Sequence, residues 1–119
     1  MAEKEVIAPI RLTDNETGKV YELDFSRDSV RFIEQQGYRI DQTFDFPNKN
    51  IPQLFYYSFR KNHRNVSLEQ ADKLREKLGG LTEKIAVRLV DLYMQATASN
   101  NVIQDEEELA KNSRVTVEL

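Results

Sequence analysis

Polar and apolar residues alternate from Val20 to Phe25, and the period then changes. Tyr21, Leu23 and Phe25 fall on one side of an extended chain and Val20, Glu22 and Asp24 on the other, the period of two that marks a half-buried strand. Upstream, Val6-Ile7-Ala8-Pro9-Ile10-Arg11-Leu12 leads into Asp14-Asn15-Glu16-Thr17-Gly18, a run of turn formers. Together these runs predict a β-hairpin over residues 6–25. Pro9 has no N–H to give to a ladder, so pairing is expected to start after it or to lie at an edge. A lone two-stranded hairpin is marginal in water, so its apolar face needs helices over it.

Four helical segments follow, at about 27–36, 51–62, 68–78 and 83–98. Ser26 is a suitable N-cap for the first, Val30 and Ile33 share its inner face with Phe32 beside them, and Gly37 stands at the left-handed position after its end. Residues 38–50 read as irregular, with Phe44 and Phe46 as anchors and Pro47 barring a regular helix. Asn50 and Pro52 announce the second helix, whose Ile51, Leu54, Phe55, Ser58 and Phe59 keep helical spacing. Ser67-Leu68-Glu69-Gln70 has capping-box spacing for the third helix, striped by Ala71, Leu74 and Leu78 and stopped by Gly79-Gly80. Thr82 caps the fourth, the longest and most apolar. Ser99 onward is polar, with the acidic run Asp105-Glu106-Glu107-Glu108, and reads as a flexible, partly disordered tail over 99–119.

The predicted fold is therefore α+β, mainly α: an N-terminal β-hairpin packed on a bundle of about four helices, forming one globular domain over 1–98. A chain of 119 residues suits one domain and can bury a core without staples. The chain is 39% hydrophobic and 31% charged, with a net charge of −3, so no general attraction to nucleic acid or to an anionic membrane is expected. It has no cysteine and one histidine, which removes disulfides, thiol nucleophiles and the common zinc sites. No signal peptide or membrane-length apolar run is present in the sequence, so a cytoplasmic protein without a cofactor is expected.

The candidate chemistry is thin. Arg60-Lys61-Asn62-His63-Arg64 follows two tyrosines and two phenylalanines. Basic residues beside aromatics suit phosphate contact with base stacking. The competing reading places these cations at the C-terminal end of the second helix, where they offset its dipole. His63 has no serine or cysteine partner in a recognisable motif, which argues against catalysis. The third and fourth helices resemble a helix-turn-helix in spacing, but Glu83, Lys84, Arg88, Asp91 and Gln95 give the fourth a mixed outer face. More informative is its breadth of apolar surface. Ile85, Ala86, Leu89, Leu92, Tyr93 and Ala96 form one stripe, and Val87, Val90 and Met94 a second. Two roles are open for the second stripe: burial of a central helix on all sides, or an exposed patch for a partner or another subunit. Val87, Val90 and Met94 are the candidate partner-binding residues, with Asp105, Glu106, Glu107 and Glu108 covering that patch or steering a basic partner.

YELDFSRDSVRFIEQQGY (Tyr21–Tyr38) and LFYYSFRKNHRNVSLEQADKL (Leu54–Leu74), followed by a Gly-interrupted turn and a long apolar helix, resemble the tail assembly chaperones of long-tailed bacteriophages. The similarity is to versions from phages and prophages of Gram-positive bacteria, and covers about Val20 to Ala98. It rests on Glu34-Gln35-Gln36-Gly37-Tyr38, on Leu54-Phe55 with Ser58-Phe59-Arg60-Lys61 and His63, and on Val66-Ser67 with Ala71-Asp72 and Leu74. The resemblance implies a non-enzymatic protein that binds the tape measure protein, helps tail tube protein polymerise around it, and is absent from the mature virion. In many such phages a ribosomal frameshift adds a longer C-terminal extension, and this chain would be the short form. The rival expectations are a structural head–tail or tail terminator component, and a small DNA-binding prophage regulator. Oligomeric state stays open, with a homo-oligomer among the options.

Overall fold

A computed structural model describes residues 6–98. The order is β1 (Ile10–Thr13), β2 (Val20–Leu23), α1 (Arg27–Gln35), a 3-10 turn (Ile40–Gln42), α2 (Pro47–Tyr57), α3 (Leu68–Leu78) and α4 (Glu83–Thr97). The α+β class, the hairpin and the four helices are as the sequence predicts, while the expected 99–119 tail lies outside the described residues.

The strands pair antiparallel, Ile10 opposite Leu23 and Leu12 opposite Tyr21, which puts these four on one face. Pairing starts at Ile10, directly after Pro9, because the prolyl nitrogen cannot join the ladder. The residues before it instead lie along α4. Gln95 closes its amide on Ile7, accepting from the backbone N–H at 2.7 Å and donating to the carbonyl at 3.3 Å, and Arg88 donates to the Ala8 carbonyl at 3.3 Å.

Helices α1, α3 and α4 begin on local side-chain caps. Ser26 and Ser29 form a reciprocal capping box on α1. Its C-terminus closes when Tyr38 N–H reaches the Ile33 carbonyl at 3.3 Å and Gly37 N–H that of Glu34 at 2.9 Å, with Gly37 at φ 92°. Ser67 and Gln70 cap α3 reciprocally, and Thr82 Oγ1 accepts from Ile85 N–H at 3.2 Å to start α4. Residues Val30, Ile33, Leu54, Phe55, Ala71, Leu74, Ala86, Leu89, Leu92 and Tyr93 bury the inner faces as expected. Tyr93 stacks edge-on to Phe25 at 5.3 Å and donates its hydroxyl to Glu34 at 3.2 Å, holding α1 on α4. Burial pushes its phenol well above the usual range.

Three expectations need correction. Pro47 starts α2 instead of barring it: it is the first helical residue, where a missing N–H costs nothing. Pro52 is then inside the helix, and the Asn48 carbonyl loses its i+4 donor. Asn50 does not cap; its side chain donates to the Gln42 carbonyl at 2.8 Å. Second, Phe44 and Phe46 are not anchors but 51% and 65% exposed. Thr43 goes inside in their place, its hydroxyl bonded to Tyr38 Oη and the Ile40 carbonyl, each at 2.8 Å. Leu78 of the expected α3 stripe is likewise exposed. Third, α2 ends at Tyr57 and not near 62. Its last turn tightens, with Phe59 N–H bonded to Tyr56 and Arg60 N–H to Tyr57, and the Ser58 carbonyl accepts from Asp24 N–H at 3.1 Å. That carbonyl would otherwise serve the next helical turn, so the hairpin takes over where the helix stops.

Lys77 of α3 clamps the hairpin turn, bonded to Asp14 at 2.9 Å and to Glu16 at 3.1 Å. The hydrogen bond from Lys77 holds the Asp14 carboxyl below its ordinary value, and the same bond raises the Lys77 ammonium. A depressed carboxyl contributes stability above its unfolded value, near 3.8, and that part is lost as pH falls through the folded value. A raised ammonium contributes below its unfolded value, near 10.5, and that part is lost as pH climbs through the folded one. Asp14→Asn should therefore melt earlier than the native chain across neutral pH. The gap should close below about pH 4, and a gap constant from pH 7 to pH 3 would contradict the clamp. Phe59 is 1% exposed and sits edge-on to Phe55 at 5.2 Å and Tyr21 at 5.5 Å. Phe59→Ala should cost about 3–5 kcal/mol in urea unfolding, and an unshifted midpoint would contradict this placement.

Candidate functional site

The basic corner is structural. Antiparallel pairing uses one edge of β2 and leaves Glu22 facing away from β1. His63 Nε2 accepts from the Glu22 N–H at 3.0 Å, and Asn62 Nδ2 donates to the Glu22 carbonyl at 3.3 Å. Lys61 pairs with Asp24 at 2.7 Å, and Arg60 lies over the Phe32 ring, 3.4 Å from its centroid. The His63 ring also meets Tyr21 edge-on at 5.2 Å. No basic side chain lies in the last turn of α2, so the expected role of offsetting the helix dipole is replaced by one on the hairpin. These side chains imitate a neighbouring strand and occupy an edge that would otherwise pair with another chain. The hollow beside them holds about 30 Å³, room for a water and no ligand.

A groove opens elsewhere, along the outer side of α2. Its first hollow holds about 450 Å³, walled by Phe44, Pro47, Ile51, Pro52, Leu81 and Ala86, with Asn48, Arg75, Thr82 and Glu83 as its polar members. A second, of about 430 Å³, lies on the α3 side with Lys49, Gln53, Tyr56, Leu68 and Asp72. Asn48, Pro52 and Arg75 line both and form the ridge between them. Proline at that ridge presents an apolar ring and keeps the helix surface low. Arg75 donates from Nη2 to Asp72 at 3.3 Å. Its Nε is buried and has no hydrogen-bond partner among the described residues. An orphaned buried donor costs about 1–3 kcal/mol.

The first hollow borders the N-terminal part of α4. Ala86 lies in the first hollow, and Val90 and Met94 follow it at i+4 and i+8 on the same helical row. Val87 and Met94 are 42% and 49% exposed, while Val90 is half-buried against the core. Val87 lines a shallow depression with Glu83, which also borders the first hollow. The three stripe residues are therefore together on one side of α4, and the Ile7–Ala8 strap crosses another. Asp105, Glu106, Glu107 and Glu108 lie outside the described residues.

The family model described as a domain of unknown function, DUF5055, matches residues 1–119. The chain belongs to that family. No curated protein and no solved structure matches it.

Sequence reasoning missed Phe44, Phe46, Arg75 and the Asn48–Pro52 ridge. A signal for the first pair exists: Phe44-Asp45-Phe46-Pro47 places two rings around a charge where no periodic element buries them. Nothing local marks Arg75, because the ridge forms only when α2 and α3 pack. Among the described residues, no group of three His, Asp or Glu side chains converges to hold a metal ion. No described helix is long and apolar enough to cross a membrane. His63→Ala should lower stability by about 1–3 kcal/mol, from the lost hydrogen bond and ring contact. Urea unfolding reads this, and an unchanged midpoint would make the imidazole a bystander.

Proposed function

We propose that this protein is a non-enzymatic tail assembly chaperone of a long-tailed phage or prophage, acting in the host cytoplasm and left out of the finished virion. It covers apolar helical segments of the tape measure protein until tail tube protein polymerises around them. The observation that carries this reading is the exposed Phe44 ring on the wall of an apolar groove along α2, with Phe46 exposed two residues on and Val87 and Met94 exposed on α4. Two exposed phenylalanines so near in sequence, one of them on the wall of such a hollow, are costly surface for a chain that meets only water. An amphipathic helix laid in that groove removes the Phe44 ring from solvent. The resemblance over Tyr21–Tyr38 and Leu54–Leu74 supplies the class of partner. Arg60, Lys61 and His63 are engaged with Phe32, Asp24 and Glu22, which favours a protein partner over nucleic acid.

Co-expression with a tape measure protein encoded beside this chain is the test. The native chain should keep that protein soluble and co-purify with it. Phe44→Ser combined with Phe46→Ser should lose the complex while its thermal melt stays near native, because both rings are exposed. A tape measure protein that stays insoluble, or recovery of this chain from purified virions, would overturn the reading in favour of a structural component.

A further inference from the structure

Arg75 sits at the centre of the groove with most of its hydrogen-bonding capacity unspent. A guanidinium carries five N–H donors in a planar fork, and among the described residues this one has a single side-chain hydrogen bond, to Asp72 at 3.3 Å. Its Nε is buried and out of a partner's reach, so the terminal nitrogens of the partly exposed side chain are the donors on offer, while Arg75 and Pro52 line both hollows. The charges around it are unevenly placed. In the first hollow Glu83 offsets Arg75, whereas in the second Lys49 and Arg75 together outweigh Asp72, so an anion is favoured on that side.

Resting on the groove reading above, we propose that Arg75 selects the partner segment: an apolar helix carrying one Asp or Glu between two large apolar side chains. The carboxylate meets the guanidinium from the Lys49 side, and the apolar side chains one turn before and after it fill the two hollows. A carboxylate is the group whose geometry matches the fork. An amide of the same size accepts one weaker hydrogen bond and leaves the charge unanswered. Asp72 is the internal competitor, holding part of the fork until a partner arrives.

Two synthetic helical peptides are the probes, alanine-rich with a leucine one turn either side of a central glutamate, or of glutamine in its place. Fluorescence anisotropy with the full chain reads their affinities. The glutamate peptide should bind at least about tenfold tighter, with the preference shrinking as salt is added. Arg75→Met, which keeps the stem, should bind the two peptides equally, and Asp72→Asn should widen the preference. Equal binding of both peptides by the native chain, abolished for both by Phe44→Ser, would overturn the Arg75 assignment and leave the groove reading standing. Binding of neither peptide would overturn both.

Discussion

A two-stranded hairpin has one face and two edges to satisfy outside itself, and residues Ser58–His63 satisfy the face and one edge together. Phe59 covers the apolar face beside Tyr21, while the Ser58 carbonyl, Asn62 and His63 take the polar groups of Glu22 and Asp24. Much of the remaining structure follows from this docking. Helix α2 stops at Tyr57 in a tightened turn, and the next carbonyl, of Ser58, is taken by Asp24. The corner then sends α3 back across α2, so that Lys77 reaches the hairpin turn from the other end. An otherwise marginal strand pair is thus held at its tip and along its outer edge, and strand-to-strand association with another chain is blocked there.

The same docking frees the opposite side of α2 for another use. With Leu54, Phe55 and Tyr57 turned inward, Pro47, Asn48 and Pro52 face outward. Two prolines on that face present apolar rings to it, while Pro52 leaves the Asn48 carbonyl there without its helical donor. Stability and binding are separated in this arrangement. Histidine, lysine and asparagine, which look like reactive residues, hold the fold together. Phe44 and Phe46, which look like core, stand in solvent.

Much of the architecture was legible because it depends on local chemistry. The bounds of α3 agree with the sequence reading, since Ser67 and Gln70 cap it and Gly79 ends it whatever packs around it. Pairing after Pro9 is equally local. The errors came where a tertiary contact decided between two local options. Either Pro47 or Pro52 can open a helix, and Pro47 does, with Thr43 buried before it and Leu54 after it. Either Thr43 or Phe44 can turn inward, and the Tyr38 hydroxyl, reached from the far end of α1, favours Thr43. For the candidate site, the α4 stripe was visible as excess apolar surface, but the groove along α2 was not. That groove is built by α2, α3 and the start of α4 together, and no spacing within one helix encodes it.

Hydrogen–deuterium exchange of the chain alone and bound to its co-expressed partner reports which backbone the partner covers. Exchange should slow on binding over residues 44–52 and along α4 from Ala86 to Met94, with the Glu22–His63 corner unchanged. Protection concentrated on residues 60–64 and the hairpin, with residues 44–52 unaffected, would contradict binding in the groove.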